Sequence, residues 1–236
     1  MLRQLLTVIL LLGISRATND VSPQSEMAEE TYLYLPLMQK LPPHVEVVVT
    51  ARGELIGYPT YYYVYGYVHS LVPDPLYSVI LEVEVTFYPY CEPPDEPCDP
   101  YTEMVRISPA LTATLPDQVN PFSYSLLLGK ASASIGDVRA VAASRTEPGG
   151  EIYYPITVVS WEHTDGALLG IIRNDSDQSI HNMRLVVAEL KKCSWREAEL
   201  DDTTLKPNRR TSFQLNFSDT CLGDNLVIVG QGAAPP

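Results

Sequence analysis

Positive charge is scarce in this sequence. Its 236 residues include 16 lysines and arginines against 29 aspartates and glutamates, which gives a formal net charge of −13 at pH 7. Binding to nucleic acid or to an anionic lipid surface needs clustered positive charge. The composition therefore predicts no nucleic-acid partner and favours solubility, or contact with cations or basic partners.

Recognisable catalytic motifs are also missing. The sequence has no Gly-x-Ser-x-Gly nucleophile elbow, no His-Glu-x-x-His zinc motif, no phosphate-binding glycine loop and no dinucleotide fingerprint. Ligand histidines usually come with close partners, but His44, His69, His163 and His181 stand singly. We expect no enzyme activity, no cofactor and no metal, although spacing leaves open a composite site that forms only on folding.

The N-terminal stretch MLRQLLTVILLLGISRA has the pattern of a secretory signal. It contains Arg3, an apolar run over residues 5–14, and Ser15 and Ala17 in small-x-small spacing. The sequence predicts a signal peptide at 1–17, cleaved after Ala17. A membrane anchor is the weaker alternative, because a hydrocarbon core needs roughly 20 apolar residues. We expect a secreted or cell-envelope protein of net charge −15, with no membrane span in the mature chain.

The four cysteines occur without a Cys-x-x-Cys pair. In an oxidising compartment they predict two disulfides rather than a thiolate metal site. Four cysteines allow three connectivities. Cys91 and Cys98 bracket a short loop, and Cys193 would then pair with Cys221.

The chain also repeats itself, which bears on the number of domains. Gly66 aligns with Gly170, and Phe122 lies near Phe213 in a second aligned block. The blocks follow the same order in both copies: YVYGYVHS (63–70) over ALLGIIRN (167–174), LYSVILEVEVTF (76–87) over IHNMRLVVAELK (180–191), TLPDQVNPFSYSL (114–126) over TLKPNRRTSFQLNF (204–217), and IGDVRAVAAS (135–144) over LGDNLVIVGQG (222–232).

Each copy shows short alternating apolar and polar runs without a sustained helical period, which predicts strands. Six or seven short strands in about 100 residues are typical of an immunoglobulin-like sandwich. We predict an all-β chain with an N-terminal linker segment at 18–43 and two tandem Ig-like β-sandwich domains at 44–146 and 147–236, joined through SRTEPGGEIYYP (144–155). The predicted strands are 45–51, 61–69, 77–88, 101–107, 111–115, 122–128 and 138–143, then 156–162, 168–173, 182–190, 201–205, 212–217 and 226–229.

Several of these features occur together in one known family. A glycine-centred strand, a long strand ending in VTFYPY, and a Leu-Pro turn before a Phe-centred strand resemble the FxLYD family of small secreted Ig-like modules. The resemblance covers 63–144 and 167–231 and implies a non-catalytic module of bacterial extracellular or envelope proteins; YLYLPLMQK (32–40) is also similar to a segment of such proteins. The residues that carry it are Gly66, Phe87, Tyr88, Leu115, Pro116 and Phe122, with Gly170, Asn174, Leu190, Leu205, Pro207 and Phe213 in the second copy.

The stretch YPTYYYVYGYVHS (58–70) is the candidate interaction surface. Because strand side chains alternate, Tyr61, Tyr63, Tyr65 and Tyr67 share one side, and the repeat places that side outward. Three interpretations stay open: an ordinary strand surface, a platform for a sugar or a protein, or a face covered by another part of the chain. The leading hypothesis is a non-catalytic module for adhesion, spacing or protein interaction at the cell surface, with an unknown protein or glycan partner. The alternative is a carbohydrate-binding module that uses the tyrosine ladder.

Two loops of the sequence are rich in polar residues. The acidic loop CEPPDEPCDP (91–100) is interpreted as a solvated hairpin tip rather than a calcium site, and NDSDQS (174–179) as an ordinary turn. Asn174 and Asn216 begin sequons that would accept glycans only in a eukaryotic secretory pathway.

Overall fold

In the computed structural model, every regular element of the described residues is a β-strand, which confirms the all-β prediction. The structure describes residues 44–55, 59–91, 98–147, 149–164, 166–189, 193–216 and 226–235. In these ranges, no helix has the length and apolar character that a membrane span requires. The predicted signal peptide (1–17) and linker segment (18–43) lie outside the described residues.

The strands fall into a first half, residues 44–144, and a second half, residues 152–235. The first half contains β1 (Val45–Leu55), β2 (Thr60–Ser70), β3 (Leu76–Tyr88), β4 (Tyr101–Ile107), β5 (Ala113–Thr114), β6 (Val119–Leu128) and β7 (Ser132–Ser144). The second half contains β8 (Ile152–Pro155), β9 (Thr157–Thr164), β10 (Ala167–Arg173), β11 (His181–Glu189), β12 (Cys193–Glu197), β13 (Glu199–Leu200), β14 (Arg210–Asn216) and β15 (Leu226–Ala234).

The first half has two antiparallel sheets with a shared core. One sheet has the order β1-β2-β6, and the other has β3 paired with β4, β5 and β7. Alternation along β3 places Val83 and Val85 inward and Glu82 and Glu84 outward. The core takes Val64 from the first sheet and the two valines from the second, so the inward alternation of each strand builds one shared core.

The second half repeats this pairing pattern. Its sheets have the orders β13-β14-β10-β9 and β12-β11-β15-β8. Thus β9, β10 and β14 are paired like β1, β2 and β6, and β12, β11 and β15 are paired like β4, β3 and β7. Leu168 and Phe213 of one sheet and Leu185 and Val187 of the other meet in its core.

Unusual backbone conformations occur at corresponding positions of the two halves. Ser78 and Asn182, which the repeat aligns, have φ of 50° and 48°. Asp117 and Asn208 each follow a proline and both have φ of 58°. Aspartate and asparagine tolerate this left-handed conformation better than most residues. The halves therefore share turn geometry as well as strand order.

Several details of the predicted strands were wrong. The strand predicted at 111–115 is only the two-residue β5, and at 201–205 the chain forms a bend, with Leu205 in an isolated bridge to Ile180. There Asp201 and Asp202 accept hydrogen bonds from hydroxyls of β14, and such local side-chain bonding competes with ladder formation. The end of the predicted junction is β8, which pairs with β15.

Candidate interaction surface

The four ladder tyrosines lie on the outer face of the β1-β2-β6 sheet, whereas Tyr62, Val64 and Val68 lie in the core. Residues paired across antiparallel strands point to the same face, so the register identifies the neighbours of each tyrosine. We call the four resulting rows the tyrosine face: Leu55, Tyr61 and Leu127; Gly53, Tyr63 and Ser125; Ala51, Tyr65 and Ser123; Val48, Tyr67 and Pro121.

The tyrosine rings stack on one another along β2. The Tyr63 ring lies 4.9 Å from that of Tyr65 and 6.1 Å from that of Tyr61, centroid to centroid, with interplanar angles of 19° and 27°. Tyr63 also leans over Gly53, where a Cβ would lie only 2.9 Å from its hydroxyl oxygen. The ring faces of Tyr63 are therefore used within the ladder, and a glycine on β1 makes room for its ring.

Tyr65 is the most deeply placed member of the ladder. It is 6% exposed, while Tyr61, Tyr63 and Tyr67 are half-buried. Its hydroxyl lies 3.4 Å from that of Tyr61. Burial, followed by this hydrogen bond, raises the pKa of Tyr65 well above its usual range. Tyr65 is therefore a neutral packing residue at physiological pH.

One end of the tyrosine face carries two exposed leucines. Leu55 is 61% exposed and Leu127 is 60% exposed, and they flank Tyr61 from either side. Neither leucine stands out in the sequence, because Leu55 follows the charged Glu54 and Leu127 lies within a run of three leucines, and neither belongs to a motif. The strand register alone shows that they extend the tyrosine ladder into a continuous apolar surface.

The opposite sheet of the first half has a charged outer face. Glu82 on β3 forms ion pairs with Arg106 on β4 at 3.3 Å and with Arg139 on β7 at 3.2 Å. Hydrogen bonds to these arginines hold the pKa of the Glu82 carboxyl below its usual range, although desolvation acts in the opposite sense. None of the twelve residues in the rows of the tyrosine face is charged. The two outer faces of the same half therefore differ in chemistry.

The hairpin tip between β3 and β4 is closed by the predicted bridge between Cys91 and Cys98, whose Cα atoms are 6.1 Å apart. Phe87 stacks on Tyr101 at its base, with centroids 5.2 Å apart. Lys130 lies 5.0 Å from the ring centroid of the exposed Tyr90. Of the acidic residues in this loop, only Asp99 belongs to the described residues. The predicted bridge between Cys193 and Cys221 lies outside the described residues, and so does Leu190.

Asn174 organises the turn after β10 and is fully buried. Its Nδ2 donates to the carbonyl oxygens of Gln178 at 2.7 Å and Leu205 at 2.9 Å. Its Oδ1 accepts from the backbone nitrogen and the hydroxyl of Ser176. The predicted turn is therefore held by the Asn174 amide, which donates two hydrogen bonds and accepts two. The spacing of residues in the sequence did not indicate these bonds.

Metal ions require clusters of ligand side chains. In the described ranges, no three His, Cys, Asp or Glu side chains lie close enough together to hold a metal ion. The four histidines lie on separate elements: His44 before β1, His69 on β2, His163 on β9 and His181 on β11. No protein-family model matches the chain, and no curated protein matches it in sequence.

Proposed function

We propose that this protein is a secreted, non-catalytic pair of Ig-like modules, related to the FxLYD family, that binds a partner protein through the tyrosine face. Its role would be adhesion, spacing or protein interaction at the cell surface. The observation that carries the proposal is the uncharged tyrosine face with its exposed leucines, set against the charged outer face of the facing sheet. Clustered exposed apolar area of this kind usually marks an interaction site.

The strand pairing supports the Ig-like part of the proposal. In each half, one sheet joins the first, second and fifth long strands, and the other joins the third, fourth and last. Immunoglobulin-like sandwiches also divide consecutive strands between two antiparallel sheets with a shared core, which supports this part of the proposal. The disulfide at the hairpin tip supports export to an oxidising compartment.

The ring geometry favours a protein partner over a sugar. Stacking on a sugar needs an open ring face with hydrogen-bonding groups at its edge. The faces of Tyr63 are turned toward Tyr61 and Tyr65, and Tyr65 is buried. Apolar side chains of a protein could instead contact Leu55, Leu127 and the ring edges between them.

The net charge of the chain and the area of the tyrosine face limit which proteins could bind there. A second copy of this chain would meet repulsion, since each carries a net charge of −13. From strand spacing and rise, the tyrosine face covers roughly 400 Å². A stable complex buries roughly 800 Å² on each partner. We therefore propose a neutral or basic partner protein, bound in a small and reversible contact.

Leu127→Asp tests this proposal, because Leu127 is exposed and its replacement leaves the core intact. Met104→Asp is the matched control, since Met104 is 47% exposed on the charged outer face. The protein would be screened against purified secreted and cell-surface proteins of its source and, in parallel, against a glycan array. Binding to a protein that Leu127→Asp abolishes and Met104→Asp preserves is the expected result.

Two results would overturn the proposal. Equal protein binding by both variants would place the contact elsewhere on the molecule. Glycan binding that Leu127→Asp abolishes, without any protein binding, would replace it with the carbohydrate-binding alternative.

A further inference from the structure

The segment between β4 and β6, residues 110–115, includes the two-residue strand β5 and lies where the two halves meet. We call it loop 110–115. From its own half it is held by Asn120 on β6, which is 1% exposed. The backbone nitrogen of Leu111 donates to Asn120 Oδ1 at 2.8 Å, and Asn120 Nδ2 donates to the Leu111 carbonyl at 2.9 Å. Loop 110–115 is therefore held to its own half by this buried amide, in addition to the pairing of β5 with β3.

The second half holds the same loop with another buried amide. Gln231 on β15 is fully buried. With its amide oriented to match its neighbours, it donates to the Ala113 carbonyl at 3.1 Å and accepts from the backbone nitrogens of Thr112 at 2.7 Å and Ala113 at 3.2 Å. Nearby, Gln118 Nε2 donates to the Gly230 carbonyl at 2.9 Å. Polar groups of each half are thus satisfied by the other.

Apolar side chains surround these hydrogen bonds. Leu111 of the first half packs with Val186 and Val229 of the second. Tyr77 of the first half lies 6.1 Å, between ring centroids, from Tyr153 on β8. Strand β8 is an edge strand of a sheet in the second half, where it pairs with β15. It therefore belongs to the second half and also contributes Tyr153 to the contact between the halves.

We infer that loop 110–115 is a rigid joint that couples the two halves into one unfolding unit and holds the tyrosine face at a fixed orientation to the second half. Linked domains move relative to each other unless their interface is extensive and apolar. Separation here would expose the apolar contacts and break the shared amide bonds, and buried amides left unpaired are costly. This inference does not depend on what the tyrosine face binds.

The positions of the two tryptophans make the coupling measurable. Trp161 and Trp195 both lie in the second half, and Trp195 packs at the junction. In a Trp195→Phe background, Trp161 alone reports unfolding of the second half, while the near-ultraviolet circular dichroism of tyrosine reports mainly on the first. Val64→Ala then weakens only the first core, to which Val64 belongs.

The joint predicts that Val64→Ala lowers the urea midpoint of both signals by the same amount. A tyrosine signal that shifts while the Trp161 signal stays in place would overturn it. Ile172→Val, in the second core, is the positive control for the Trp161 signal. Amide hydrogen exchange along β10 also reports the stability of the second half. Comparing this exchange with and without Val64→Ala tests the coupling while Trp195 stays in place.

A second variant tests the joint itself. Gln231→Met removes the bonds to loop 110–115 with little change in side-chain volume, and should make the Trp161 midpoint insensitive to Val64→Ala. Gln214→Met, at an exposed position of β14, is the matched control and should preserve the coupling. Coupling that persists unchanged in Gln231→Met would overturn the assignment of the joint to this loop.

Discussion

A Cβ atom on Gly66 would lie 2.6 Å from Cζ of Phe122, its partner on β6. Gly170 has the same relationship to Phe213 on β14, at 2.5 Å. A carbonyl of the neighbouring edge strand also approaches each glycine, from Val48 in the first half and from Ser160 in the second. In each half a phenylalanine ring occupies the space that a side chain on the neighbouring strand would need, which explains the glycine at these positions.

Gly66→Ala and Gly170→Ala should each destabilise the protein. The added methyl meets a buried ring and a backbone oxygen, and overpacking of this kind costs about 1–3 kcal/mol. Urea denaturation measures the loss. Gly129→Ala is the control, because no atom lies within 4 Å of its added Cβ. A similar loss in all three variants would mean that backbone freedom, rather than the close ring contact, requires these glycines.

Asn174→Ala should lower the free energy of unfolding by about 1–3 kcal/mol, since it leaves buried backbone groups of the turn unpaired. Asn216→Ala, at an exposed position, should change it by less than about 0.5 kcal/mol. Thermal unfolding of both variants checks the difference. Equal midpoints would show that the turn holds without the amide of Asn174.

Glycosylation should distinguish the same two asparagines. When the protein is produced in a eukaryotic secretory host, we expect a glycan on Asn216 and none on Asn174, because both donor positions of the Asn174 amide are occupied inside the fold. Peptide mass spectrometry after enzymatic deglycosylation identifies the modified site. Efficient modification of Asn174 would show that this turn forms after the sequon has been scanned.

The protein should lose stability in alkaline solution. Burial raises the pKa of Tyr65, and it also raises that of Tyr77, Tyr124 and Tyr153. Unfolded tyrosine has a pKa of about 10. Because the folded pKa is higher, the stabilisation is complete below that pH and is lost as the pH rises through and above it.

Thermal midpoints measured between about pH 9 and 11.5 test this expectation, given the unfolded tyrosine pKa. Tyr65→Phe should flatten the alkaline decline, because it removes one group whose ionisation favours unfolding. Tyr90→Phe is the control, since Tyr90 is 58% exposed, and should decline like the wild type. Identical slopes in all three proteins would contradict a special role for Tyr65.

Much of the local structure could be predicted from sequence because strand signals are local. Alternation in β3 and the tyrosine-rich β2 indicates both the strand and its inward side, and burial of Val64 and Val83 follows from it. The close spacing of Cys91 and Cys98 likewise indicated their bridge. Short elements such as β8 and β12 were missed, because four or five residues carry too little periodicity.

The candidate surface was predictable only in part. Side-chain alternation identified the four tyrosines, but Leu55 and Leu127 join them through pairing of strands that are distant in sequence. Likewise, nothing local to Gln231 indicates that its amide bonds to Thr112 and Ala113.

The amino-acid sequence was enough to predict the all-β class, the inward side of the long strands and the local disulfide, because each depends on residues close together in the chain. The repeated order of elements could be predicted because the two copies resemble each other in sequence. The folded chain was needed to show that Tyr65 is buried while Leu55 is exposed, that Asn174 is saturated with hydrogen bonds, and that loop 110–115 joins the halves. These properties depend on atoms that long-range strand pairing brings together, and neither composition nor spacing encodes such distances.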